Sequence, residues 1–231
     1  MVLTRPDAYH TSMVKTAPEG GRQEYQGGRA QLTKREQAKA CVIHGAQDLR
    51  IEPRAIPELE GDDVLVRLAA GGICGSDQHY YLEGKCGAFA IREPFVPGHE
   101  VSGHVEAVGP EVGGPESGGL PIGGLVAINP SRPCGTCPMC RSGKVNLCRN
   151  NGFLGSASRF PHAQGMFSEY FMVKAAQCVP VDAAVDAGCL AMAEPLSVAL
   201  HAVNRAGRLE GMDVLVVGAR TIGLLIAPGA I

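Results

Sequence analysis

The chain has 231 residues, 45% of them hydrophobic and 19% charged, enough for one full domain and part of another. Its formal charge of −2 gives no electrostatic case for a nucleic acid or an anionic membrane as partner. No apolar run reaches the length of a membrane span, and the N-terminus lacks the charged-then-apolar layout of a signal peptide.

In chain order, residues 1–37 carry no sustained apolar period and hold Pro18-Glu19-Gly20-Gly21 and Gly27-Gly28-Arg29. Such a segment buries too little to offset chain entropy, and a disordered extension is expected. Its acidic residues Asp7, Glu19, Glu24 and Glu36 argue against a mitochondrial targeting peptide. Structure is expected from Ala38. Strands are predicted at Ala40–His44, Asp62–Ala69, Glu100–Val108, Gly124–Ile128 and Phe167–Val173, separated by glycine- and proline-rich turns. Short strands at this spacing predict a barrel-like β domain. The pattern then changes. Ala193–Val203 has helical spacing with Pro195 near its start. Met212–Gly218 is a continuous apolar run of the kind buried in a parallel sheet. A glycine turn and Ile222–Ala227 follow, which together read as the opening βα of a nucleotide-binding fold.

Nine cysteines are present, and four of them fall between 134 and 148. Clustered cysteines without a secretory signal point to metal rather than disulfides, and to a reducing, cytoplasmic setting. Cys134, Cys137, Cys140 and Cys148 follow C-x2-C-x2-C-x7-C. Four thiolates close a tetrahedron about Zn²⁺ and leave no open position, so the expected site is structural. An iron–sulfur cluster is the competing reading.

A second constellation is Cys74-Gly75-Ser76-Asp77-Gln78-His79 with Pro97-Gly98-His99-Glu100. A catalytic zinc takes about three protein ligands and keeps one position open. Cys74 and His99 can supply two, and Glu100 or Glu194 the third. Ser76 can accept the proton of an alcohol, and His79 can pass it to water. A hydride can then leave the carbinol carbon for a nicotinamide. The plain alternative for Ser76 and Asp77 is a helix cap over 77–83.

These residues, with Gly98-His99-Glu100-x-x-Gly103-x5-Gly109 and Ala193-Glu194-Pro195, resemble the zinc-dependent medium-chain alcohol and polyol dehydrogenases over about residues 38–226. The similarity is greatest to the idonate and sorbitol dehydrogenase branch. The resemblance implies a mainly β, GroES-like catalytic domain over 38–190, with a structural zinc lobe at 133–149. After it comes only the opening βα of a Rossmann domain, over 191–231. It implies one catalytic and one structural Zn²⁺, NAD or NADP as cofactor, and a polyol or sugar-acid substrate near Tyr80. L-idonate 5-dehydrogenation is the leading reaction. Sorbitol, xylitol or threonine dehydrogenase chemistry and a non-catalytic zinc-binding fragment are the alternatives. Full-length relatives are expected to be homo-oligomers.

Three features depart from the family. The dinucleotide turn reads Gly218-Ala219-Arg220-Thr221-Ile222-Gly223, with Arg220 in place of the middle glycine. The acidic residue expected about twenty positions on, and the chain's return to its first domain, fall beyond Ile231. Pro228-Gly229 reads as a break in the expected helix. A truncated, inactive dehydrogenase is therefore expected. Cys41, Cys86, Cys178 and Cys189 are expected as small buried residues, and His44, His104 and His201 as packing or surface residues. Arg159 and His162 are candidates for contact with a sugar acid's carboxylate.

Overall fold

The computed structural model describes residues 14–15, 36–113, 119–181 and 184–229. Apart from 14–15 and 36–37, the expected disordered extension lies outside them.

The strands are β1 (Val14–Lys15), β2 (Gln37–Gly45), β3 (Asp48–Ala55), β4 (Asp63–Gly72), β5 (Lys85–Cys86), β6 (Phe89–Ala90), β7 (Glu100–Val108), β8 (Leu125–Ile128), β9 (Tyr170–Lys174) and β10 (Cys178–Pro180). The helices are α1 (Gly75–Glu83), α2 (Pro138–Arg141), α3 (Ala187–Ala191), α4 (Ala193–Ala206) and α5 (Thr221–Gly229). The main sheet runs β1-β4-β7-β8-β10, with β9 also on β4, and every pair is antiparallel. The sheet-rich architecture is the one expected.

β4 is the organising strand. It pairs with β7 along its length, with β9 through Asp63–Arg67, and with β1 at Ala70 and Gly71. Two register shifts against β7, after Leu65 and after Leu68, bend it. Val64 and Val66 are fully buried and pack with Val101, Val105, Val126, Met166, Phe171 and Val173 into one core. Burying side chains of this size contributes about 1.5–3 kcal/mol each.

β3 was not expected. It pairs with β2 alone, exposes Ile51 and carries Pro53, so it has no buried face to impose an alternating pattern. Proline is tolerated there because the free edge needs no N–H. The opposite departure falls at 212–218, where the expected strand does not form. A strand is defined by its neighbours, and among the described residues none lies parallel to this run. Its side chains stand in solvent, with Leu215 87% and Val217 90% exposed. α5 forms and continues through Pro228. In that last turn the proline removes a single helical hydrogen bond, the one to the Leu224 carbonyl.

Candidate metal centres

Cys137 caps α2, and Pro138 occupies the first helical position, where its missing N–H costs nothing. The short helix and the turn at 145–147 bring Cys134, Cys137, Cys140 and Cys148 within 4.8 Å of one another. All four are free thiols. Cys137 Sγ lies 3.6 Å from Cys140 Sγ and 3.9 Å from Cys148 Sγ. A disulfide needs about 2.0 Å, whereas the edge of a tetrahedron with 2.3 Å Zn–S bonds is about 3.8 Å. Backbone N–H groups already point at the sulfurs. Cys134 N–H donates to Cys148 Sγ at 3.2 Å, and Cys137 N–H donates to Cys134 Sγ at 3.3 Å. The Thr136 backbone and hydroxyl, with Cys137 N–H, pull the Cys134 thiol down to about 6. Burial and the neighbouring Cys148 and Cys137 sulfurs push Cys140 up to about 12. The sulfur cage therefore fits a closed tetrathiolate ion.

The second group is set by register. β4 and β7 end with Gly72 opposite Glu100. Cys74, two residues past Gly72, caps α1 beside the Pro97-Gly98 corner. The donor atoms of Cys74, His99 and Glu100 lie within 4.8 Å of one another, with His99 and Glu100 buried. Gly98 has φ +95°, and a Cβ there would fall 2.3 Å from the Phe167 ring, so only glycine makes this corner.

Asp77 ties the two loops together. Its Oδ2 accepts from Cys74 N–H at 3.0 Å, its Oδ1 accepts from Gly98 N–H at 3.1 Å, and Oδ1 stands 3.8 Å from His99 Nδ1. Burial pushes the Asp77 carboxyl up, against the opposing pull of His99 and the two N–H groups. Burial opposes charge on His99, but the Cys74 hydrogen bond, Asp77 and Glu194 outweigh it and raise the imidazole to about 9. Burial pushes Glu100 and Glu194 up as well. His99 Nδ1 is buried without a hydrogen-bond partner among the described residues. A thiol, an imidazole and carboxyls crowded into a buried space suit a divalent cation, which lets the acids ionise. Glu194, in the first turn of α4, is felt electrostatically by His99 and Glu100 but stands outside the grouped donors.

Residues 60–183 match the alcohol dehydrogenase GroES-like domain. The chain belongs to the zinc-dependent medium-chain alcohol dehydrogenase family. It is 44% identical over 188 residues to L-idonate 5-dehydrogenase (NAD(P)(+)) of Escherichia coli strain K12, covering 81% of this chain and 52% of that protein. It is 39% identical over 193 residues to sorbitol dehydrogenase of Bombyx mori, covering 83% and 52%. The crystal structure of L-idonate 5-dehydrogenase from Escherichia coli K-12 superposes with a TM-score of 0.77 at 43% identity, covering 84% of this chain and 54% of that one. The chain thus spans about half the length of the curated relatives it matches. No helix among its described residues is long and apolar enough to cross a membrane.

The other expected site residues fall as follows. Ser76 is half-buried in the first turn of α1. His79 is exposed, with Nδ1 bonded to Glu83 Oε1 at 2.7 Å. Tyr80, expected near the substrate, is 2% exposed in a core cluster. Its ring meets Phe95 edge-on at 5.0 Å, and its hydroxyl accepts from Ala157 N–H at 3.0 Å, so its position is a packing one. His162, expected at the carboxylate, is also buried. Its Nε2 accepts from Arg92 N–H at 2.9 Å and its Nδ1 donates to the Arg159 carbonyl at 2.7 Å, which occupies both nitrogens. Cys189, expected buried, is exposed, and Cys41 and Cys86 are half-buried. In the turn at 218–223 Gly218 has φ +111°, and a Cβ at Gly223 would fall 1.8 Å from the Gly218 carbonyl oxygen. The turn leads into the N-terminus of α5, a position suited to phosphate.

Two residues were missed. Asp77 was read only as a cap, and nothing in a linear sequence says that its second oxygen reaches Gly98. Phe153, whose ring meets His99 at 5.4 Å, comes from a loop distant in sequence.

Proposed function

We propose that this chain is the zinc-binding part of an NAD(P)-dependent dehydrogenase that oxidises a secondary hydroxyl of a polyol or sugar acid, of the L-idonate 5-dehydrogenase type. The observation that carries the reading is the Cys74, His99 and Glu100 donor group. The Escherichia coli and Bombyx mori relatives support the substrate class. Cys74, His99 and Glu100 would hold the catalytic ion, and the four-cysteine lobe a structural one. When bound, zinc supplies Lewis-acid polarisation of an alcohol oxygen and the nicotinamide supplies a hydride acceptor.

The chain's own residues do the rest. Asp77 holds the Cys74 and Gly98 loops in register. The Phe153 ring packs edge-on against His99 and helps fix the imidazole's orientation. Ser76 Oγ would relay the proton leaving the substrate hydroxyl, accepting it while releasing its own hydroxyl proton toward His79. His79, its Nδ1 held by Glu83, passes a proton to solvent through Nε2. The turn at Gly218–Gly223 and the N-terminus of α5 would meet the cofactor's phosphates.

A second reading, a zinc-holding body without turnover, is favoured by one observation: residues 212–218 pair with no strand among the described residues. Metal analysis and an assay separate the readings. The purified chain should hold two zinc ions, and Cys74→Ser one. A single zinc in the unaltered chain would remove the catalytic centre from both readings. Two zincs with no reduced-nicotinamide signal from idonate and NAD or NADP would favour the second reading, and steady turnover the first.

A further inference from the structure

A group of cations stands apart from the residues that hold the metals. Between Asn129 and Ser168 the sequence carries Arg132, Arg141, Lys144, Arg149 and Arg159 and no aspartate or glutamate. Folding brings Arg132 and Arg159 to one cavity of about 530 Å³, whose lining is completed by Pro133, Cys134, Asn150 and Gly152. The backbone fixes both walls. Gly152 N–H donates to the Arg132 carbonyl at 3.0 Å. Arg159 Nη1 donates to the Asn150 carbonyl at 3.4 Å. A Cβ at Gly152 would stand 3.1 Å from Arg159 Nη1, so glycine leaves room for the guanidinium. Among the described residues neither guanidinium has a carboxylate within ion-pair distance. Asp63 feels Arg132 only as a distant charge, because Lys174 is its direct partner.

One peptide unit links the cavity wall to a residue packed on His99. Gly152 lines the cavity, and the next residue, Phe153, packs edge-on against His99. Two guanidinium forks are the chemistry that recognises an oxyanion, and a carboxylate matches the planar fork through paired N–H donors. The Cys134 thiolate on the lining opposes an anion, and Arg141, Lys144 and Arg149 of the same lobe offset it. Both arginines are exposed, so the attraction is screened by salt.

We propose that the Arg132–Arg159 cavity is an anion subsite that takes the carboxylate of a sugar-acid substrate while the Cys74–His99–Glu100 group engages a hydroxyl farther along the same molecule. This rests on the dehydrogenase reading above and narrows its substrate class to polyhydroxy carboxylates over neutral polyols.

The test is calorimetric titration of the zinc-loaded full chain with D-gluconate, sorbitol and inorganic phosphate, at low and high salt. Gluconate should bind about tenfold or more tightly than sorbitol, and salt should weaken it. The Arg132→Gln/Arg159→Gln variant should lose about tenfold in gluconate affinity while keeping both zinc ions. In a Cys74→Ser background, which should hold one zinc and lose the hydroxyl contact, adding Arg132→Gln/Arg159→Gln should lower gluconate affinity by about a further tenfold, which separates failure of the cavity from failure of the metal reading. If the double variant fails to hold its lobe zinc, Arg159→Gln alone carries the test, with a loss of about threefold. Equal binding of gluconate and sorbitol, or undiminished gluconate binding by the zinc-replete arginine variant, would overturn the proposal. Phosphate binding tighter than gluconate would overturn the carboxylate assignment in favour of a sugar phosphate.

Discussion

Asp77 shows how one side chain serves three tasks. It opens α1 with a negative charge in the first turn, it closes the Cys74 loop, and it anchors the Gly98 corner. An amide in its place accepts one N–H and presents its own N–H₂ to the other. Asp77→Asn should therefore weaken zinc at the Cys74 group by about 10–100-fold, the usual cost of losing a supporting hydrogen bond. The four-cysteine lobe should keep its ion. Competition with a chromogenic chelator reads the two sites separately. Cys74, His99 and the four lobe cysteines could be picked out in the sequence as candidate donors because metal chemistry restricts the residue types, with Glu100 and Glu194 both left as the carboxylate. For Tyr80 and His162 the sequence shows residue type but not surroundings. Each is polar and lies near the motif, but folding had already committed its hydrogen bonds, to Ala157 in one case and to Arg92 and Arg159 in the other.

Elements differ in what holds them. Neither α2 nor the turn at 145–147 buries a single residue, so the lobe has no core of its own. A zinc ion held there, as proposed, would contribute several kcal/mol or more to its order. Chelation should make residues 134–148 newly protease-sensitive, while the backbone amides of β4 and β7 stay protected from hydrogen exchange. Survival of an intact lobe in strong chelator would contradict this.

The β4–β9 pair is held differently. Asp63 lies opposite Lys174 at the end of the register, and Lys174 Nζ sits 2.9 Å from its Oδ1. Lys174, with the Glu60 N–H, holds the Asp63 carboxyl below its ordinary range against the contrary effect of burial. A depressed acid contributes stability above its unfolded pKa of about 3.9 and loses it as pH falls through the lower folded value. Asp63→Asn should melt about 2–4 °C lower at neutral pH, a modest figure because Lys174 is partly exposed and keeps Asp62 as a partner. The gap should narrow below about pH 4. A gap that widened in acid would refute the assignment.

At the scale of the whole molecule, the sheet core and the 207–218 segment are opposites. The core valines are fully buried, whereas Met212, Leu215 and Val217 face solvent and have no strand beside them. Limited proteolysis with an enzyme selective for large apolar residues should cut first around Met212–Val217, before any site in β4, β7 or β8. Earlier cleavage within the sheet would mean that the core is not the stable unit. The cavity between Arg132 and Arg159 belongs to this scale as well, since its walls come from two segments that meet only in the folded chain.

The sequence by itself determined what local chemistry and local period can carry. It marked out the four-cysteine cluster, Cys74 and His99 with two candidate carboxylates, the strands with one buried face and the helix at Ala193. Each of these follows from residue type and spacing within a short window. Tertiary structure alone decided which carboxylate joins Cys74 and His99, because the Gly72–Glu100 register sets Glu100 beside them and α4 carries Glu194 outside the group. It also decided that Asp48–Ala55 is a strand and Met212–Gly218 is not. The backbone of a strand is satisfied by its neighbours, and no stretch of sequence contains the neighbours it will meet.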